Sequence, residues 1–175
     1  MPSTDGLKIE LVDTIDTKEL MRLAEKVSCS VYIGFLSGRQ HIPTFHKNEV
    51  GKYRGYNGES IKQAQPIDTA DLARQLHFGT AEIPARPFLE EGVRSKQNEI
   101  YDTFETEAKR AIEGGVANWE KVGTMAVGAV QEFVRGDYYK SNVPNSKKTI
   151  EYKGSDKPLI DGGDLINSLE YLIER

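Results

Sequence analysis

The side chains that could do chemistry are few and scattered. His41 and His46 stand five residues apart in a polar stretch, and His77 lies far along the chain. A zinc site needs three or four converging ligands, and these histidines have no cysteine near them, so a metal site is not expected. Asp161 and Asp164 could ligate a cation, but a turn at Asp161-Gly162-Gly163 and a helix cap account for them better. Cys29 lacks the surroundings of a nucleophile and is expected to fill a buried strand position. Lys147, Lys148 and Lys153 read as a solvated loop, with DNA or an acidic partner face as the alternative contact. The chain has no Gly-rich phosphate loop, metal-ligand spacing or nucleophile motif. The expectation is therefore no catalytic residue, no metal and no cofactor. A pocket holding convergent titratable groups would be needed to reopen the enzyme class.

Bulk properties narrow the classes further. The chain has 175 residues, enough for one domain with a real core. Hydrophobic residues make up 38% and charged residues 29%, which suits a soluble protein with much exposed or partner-facing surface. No run of 18 apolar residues occurs, so no membrane span is expected. The N-terminus lacks a basic region followed by an apolar stretch, so no secretory signal is expected. A single cysteine excludes an internal disulfide framework and fits a reducing compartment. The net charge of −4 argues against general nucleic-acid binding, which is built on clustered Lys and Arg.

The densest local signals run from Asp71 to Val93. An apolar-periodic segment with Leu72, Leu76 and Phe78 meets a stop at Gly79. Pro84 and Pro87 then bracket Arg86. Each proline fixes its own φ and biases the residue before it toward extended geometry. A stiff connector between two helices follows, with Ile83 and Phe88 as apolar anchors and Arg86 held in one direction. Arg86 could contact a neighbouring subunit, but an internal bond to a helix-end carbonyl or an acidic residue is favoured. Phe88 and Trp119, by their helical spacing, are assigned to the core.

Around this connector the elements fall in order. Leu7, Ile9 and Leu11 alternate with polar residues, as in a half-buried strand. Asp16 or Thr17 can cap a helix carrying Leu20, Met21, Leu23, Ala24 and Val27. The run Cys29–Leu36 reads as a strand, which completes a β-α-β opening. From 37 to 65 the pattern dissolves, and the segment reads as a projecting hairpin or an arm that orders on a neighbour. Asp68 or Thr69 caps a helix over 70–78. One long helix is predicted from Leu89 to Glu113, with Val93, Ile100, Tyr101, Phe104, Ala108, Ala111 and Ile112 on its apolar face. A second, from Asn118 to Val134, carries Trp119, Val122, Met125, Ala126, Ala129, Val130 and Phe133. Gly123 and Gly128 would allow close approach, giving an antiparallel helical hairpin. Residues 137–157 read as a mobile loop. A turn, a helical turn over 164–167 and a closing strand through Leu169, Tyr171 and Ile173 end the chain. The last strand is expected to join those near Leu7 and Val31. The whole is an α+β single domain: a small antiparallel or mixed sheet packed against two long antiparallel helices, with extended loops or arms.

Two motifs in this order resemble a known family. The first is Phe78-Gly79-Thr80 followed by Ile83-Pro84-Ala85-Arg86-Pro87-Phe88-Leu89. The second is Lys153-Gly154, then Lys157-Pro158-Leu159-Ile160-Asp161, Gly163, Leu165, Ser168 and Tyr171. Separated by two helices, they resemble the tail-completion or neck (virion morphogenesis) proteins of tailed bacteriophages. Gly162 stands where that family usually has threonine, which puts a hydroxyl-mediated turn contact in doubt. The resemblance covers 30–36 and 70–175 and leaves 37–65 outside.

The resemblance implies a structural virion protein without catalysis, present in the host cytoplasm during assembly and then in the virion neck. It implies a homo-oligomeric ring, expected as a hexamer, seated between connector or stopper proteins and tail terminator or tube proteins. Genomic DNA would pass through the channel without specific binding, which the acidic balance suits. It also marks Gly79, Pro84, Arg86, Pro87, Phe88, Asp161, Gly163, Leu165 and Ser168 as structural or interface positions. Tail terminator and head-side connector or stopper are the neighbouring alternatives, with a DNA-binding adaptor and an enzyme behind them.

Overall fold

A computed structural model of the protein describes residues 17–41, 53–54, 60–61 and 67–174. The strand expected through Leu7, Ile9 and Leu11 lies outside the described residues. So does most of the segment 37–65, including His46. In chain order the first described elements are helix α1 (Thr17–Val27) and strand β1 (Ser30–Phe35). Four two-residue strands follow: β2 (Gln40–His41), β3 (Tyr53–Arg54), β4 (Ser60–Ile61) and β5 (Ile67–Asp68). Strand β2 pairs antiparallel with β5, and β3 with β4, so one pairing is nested inside the other.

The helical body consists of α2 (Thr69–Phe78), α3 (Phe88–Ser95), α4 (Gln97–Ile112) and α5 (Trp119–Arg135). Two short helices, α6 (Tyr138–Asn142) and α7 (Lys147–Lys153), precede α8 (Asp164–Asn167) and the closing strand β6 (Leu169–Glu174). Strand β6 pairs antiparallel with β1, placing Ser30 opposite Glu174 and Phe35 opposite Leu169. The fold is α+β: a small antiparallel sheet packed on several helices.

Helix α5 organises the core because its apolar stripe is nearly continuous. Trp119, Val122, Ala126, Ala129, Val130 and Val134 are all buried. The side chain of Asn118 accepts the N–H of Lys121 and so caps the first turn. Partners run antiparallel along α5. Gly92 meets Val130, Thr103 Oγ1 lies 3.4 Å from Met125 Sδ, and Phe104 stacks on Trp119 at 5.0 Å. Gly92 is required there, since a Cβ would stand 2.7 Å from Val130 Cα.

Several expectations are corrected here. The single helix predicted from Leu89 to Glu113 is two, broken at Lys96 with φ −122° and ψ 21°. The break lets α3 lie close on α5 through Gly92 while α4 follows its own line. The buried face of α4 is also rotated from the predicted stripe. It presents Thr103, Glu107 and Ala111, while Tyr101 and Ile112 are 66% and 48% exposed. Gly128 faces open space, so of the two α5 glycines only Gly123 accommodates a close neighbour, the ring of Tyr171. Residues 137–157 fold as α6 and α7 instead of a bare loop, fastened by the buried Tyr139. Phe78 points outward at 73% exposure. Cys29 is half-buried and lies just before β1, not inside a strand.

The sheet has two dissimilar faces. Phe35 and Ile33 of β1 and Leu169 of β6 pack into the core, and Tyr171 lies on Gly123. The cross-strand pair Tyr32 and Leu172 falls on the opposite face, and both side chains are exposed. Among the described residues no helix is long and apolar enough to cross a membrane.

Candidate functional site

The connector between α2 and α3 is the most tightly specified part of the chain. Helix α2 starts on Asp68, whose carboxylate accepts the Ala70 N–H at 2.9 Å and the Gly38 N–H at 2.5 Å. Those bonds, Gly38 first, hold the Asp68 carboxyl below its usual range. The helix ends at Gly79, where φ is +77° and a Cβ would stand 2.8 Å from both Ala85 N and Ile83 O. Only glycine permits that turn and that approach together. Thr80 Oγ1 accepts the N–H groups of Glu82 and Ile83, and the Arg86 N–H returns to the Leu76 carbonyl at 3.0 Å. Around Pro87 the chain makes an inverse γ-turn, φ −73° and ψ 59°, closed by the Phe88 N–H on the Arg86 carbonyl at 2.7 Å. The connector is thus docked on α2 by backbone bonds as well as stiffened by proline.

Arg86 is turned inward. Its guanidinium donates from Nε to the Val143 carbonyl at 3.1 Å and from Nη2 to the Pro144 carbonyl at 3.3 Å, and the residue is buried. Val143 is the C-terminal cap of α6, so Arg86 satisfies a helix-end carbonyl. Burial lowers the Arg86 pKa, and the group remains a cation. Beside it Tyr139 Oη donates to Glu91 Oε2 at 2.7 Å. Burial, and then that bond, push the Tyr139 phenol far above its usual range. Lys153 joins the group from α7. Burial lowers its pKa, Asp161 opposes that, and its Nζ donates to the Lys157 carbonyl at 3.0 Å.

The other predicted positions fall at the far wall of the same core. Phe88, 2% exposed, and Leu165 both line a cavity of about 10 Å³ together with Phe35, Val130 and Leu169. That volume holds a single water at most and no ligand. Gly163 caps α8 with φ +90°, so the cap is Gly163 and not the Asp164 side chain, which lies in the first turn. Ser168 is buried, and its Oγ donates to the Leu165 carbonyl at 3.0 Å. Leu159 takes φ +62°, a conformation costing a leucine about 1–2 kcal/mol. Its side chain is buried in the core cluster, which offsets that cost. Of these positions the structure brings Phe88 and Leu165 together in the core, with α2 packed on α8, while Arg86 turns to the end of α6. Pro84 is exposed and stands apart from them.

Three functional-looking contacts escape the sequence patterns. Tyr139 sits in a polar, turn-rich stretch that conceals its burial. Glu107 is buried and its carboxylate accepts the Asn118 N–H and Arg110 Nη1, both at 2.9 Å. Its position four residues after Thr103 and four before Ala111 was the available signal. His77 is buried between the rings of Phe78 and Phe88, at 4.6 and 5.5 Å. Among the described residues no three His, Cys, Asp or Glu side chains converge to hold a metal ion.

No family model, no curated protein and no solved structure matches this chain.

Proposed function

We propose that this chain is a structural virion protein of the bacteriophage neck, a tail-completion subunit forming a ring that lets tails join DNA-filled heads. The observation that carries the reading is the meeting of two distant stretches. The connector Ile83–Leu89 and the terminal stretch 153–171 are those whose residues resemble the neck family, and they fold against one another. Phe88 shares a cavity wall with Leu165 and Leu169, while Arg86 and Asp161 both act on Lys153. One internal structure uses both motifs, as expected if they mark a common fold.

The exposed surface suits assembly. Tyr32, Leu36 and Leu172 lie exposed on or beside the outer sheet face, and each strand has an edge unpaired among the described residues. Ring subunits meet through heterologous contacts whose rotation closes, and sheet edges accept a neighbour's extended segment.

The test is made in the phage. Particles assembled without this protein should accumulate as DNA-filled heads beside free, complete tails, and adding the purified protein should join them. The purified protein should also form closed rings by negative-stain microscopy. Blocked head formation would indicate a head-side connector, and overlong tails a terminator. Normal infectious particles would remove the neck assignment altogether.

A further inference from the structure

Phe78 is an aromatic side chain held out in solvent at the start of the bonded connector. It is 73% exposed, and its ring meets His77 edge to face at 4.6 Å. Gly79, directly after it, is closed against Ile83 and Ala85, and the Arg86 N–H is bonded to the Leu76 carbonyl. An exposed aromatic on an already ordered backbone loses little freedom on binding, which is the character of an interface anchor. Exposed charges flank it, Arg74 one helical turn before and Glu82 beyond the Gly79 turn. Arg74 shares an exposed contact with Asp71, a pairing worth little in water. The Glu82 carboxylate forms no ion pair among the described residues.

The same chain carries a hollow suited to such an anchor. Between β1, α3 and α4 lies an open groove of about 450 Å³, with Ile33, Val93, Ile100 and Tyr101 as its apolar part. Glu90, Arg94 and Gln97 also line it and are exposed, and neither charge forms an ion pair among the described residues. We propose that Phe78 of one copy seats in this groove of the next copy, with Arg74 meeting Glu90 and Glu82 meeting Arg94. Charge selects the occupant. The groove offers a carboxylate and a guanidinium one helical turn apart on α3, and the surface around Phe78 offers the opposite pair. A purely apolar occupant would desolvate both groove charges without a partner. Knob and groove are different patches, so the contact is heterologous, the kind that a closed ring requires. The inference rests on the ring reading above and names the surfaces that the ring uses.

The experiment places Phe78→Asp and Tyr101→Asp in separate full-length proteins and follows them by sedimentation velocity. Both side chains are mostly exposed, so each variant should melt with the unaltered protein. The unaltered chain should self-associate, and each variant alone should do so at least about tenfold more weakly. Mixed one to one, the variants should form pairs and stop there. The Tyr101→Asp copy still offers Phe78, and the Phe78→Asp copy still offers an intact groove. Glu82→Arg should weaken association, and Arg94→Glu added to the same chain should restore it. A solitary unaltered chain, a variant that associates as the unaltered chain does, or a mixture that stays unpaired overturns the proposal. Should an aspartate variant fail to fold, the charge exchange decides. Rings that persist in Tyr101→Asp remove this contact and leave the neck assignment standing. Pairing in the mixture, with normal infectious particles made without the protein, removes the assignment and leaves the contact.

Discussion

Arg86 and Val143 lie 57 residues apart in sequence, and a 3.1 Å bond from the guanidinium Nε to the carbonyl oxygen joins them. With the second bond to Pro144, this is how the connector and α6 hold each other. Arg86→Ala should destabilise the fold by about 2–4 kcal/mol, because two carbonyls lose their donor in a buried setting. Arg86→Lys should recover part of that loss, since an ammonium cannot reproduce the planar fork. Urea unfolding of the three proteins checks both.

Two glycines in adjacent helices should respond to alanine with opposite signs. Gly92→Ala puts a Cβ within 2.7 Å of Val130 Cα and should cost about 1–3 kcal/mol as α3 is pushed from α5. Gly128→Ala meets nothing within 4 Å in the interior of a helix and should stabilise by about 0.5–1 kcal/mol. Thermal melts at one pH compare them directly.

Asp68 gives an acid-dependent contribution. Its carboxyl is held below the ordinary 3.8 by the Gly38 N–H foremost. A depressed folded pKa means that the stabilisation is present above the unfolded value and is lost as pH falls through the folded value. Between pH 5 and pH 2, about the range over which such a group titrates, the Gly38 and Ala70 amides should shift and exchange faster. Asp68→Asn should flatten that dependence.

Glu107 fastens the turn between α4 and α5. Glu107→Ala leaves the Asn118 N–H without its acceptor and should cost about 1–3 kcal/mol. Glu107→Gln keeps an acceptor and should cost less. Denaturant titration, with near-ultraviolet circular dichroism following Trp119, reads the change at that end of the bundle.

How much of this was legible depended on whether a signal was local. The Asp68 cap, the Gly79 stop, the α5 stripe and the strand Ser30–Phe35 are all written in caps and periods. The break at Lys96 is not, because no proline or glycine stands there and the apolar stripe continues across it. Close packing of Gly92 on Val130, a tertiary fact, accompanies it. Helices α6 and α7, of five and seven residues, are too short to announce themselves by propensity. What anchors α6 is tertiary: its own Tyr139 is buried and bonds to Glu91, and Arg86 holds the carbonyls at its end. Buried Thr103 and Glu107 carry no such local mark, because an apolar pattern does not single out polar residues that find partners inside. The connector was legible as stiff, but the direction of Arg86 became definite only once α6 was in place.

The pinning of β2 against β5 has a consequence for how this protein can diverge. Both feet of the stretch between His41 and Ile67 are tied to the body. Gly38 is held by Asp68, Arg39 by Glu170, and the Thr69 N–H by the Arg39 carbonyl. Closing a longer loop between fixed feet costs only about 0.6 kcal/mol per doubling. Insertions, deletions or whole replacements between those feet can thus accumulate with little penalty to the body, making this the natural place for related chains to differ in what they touch.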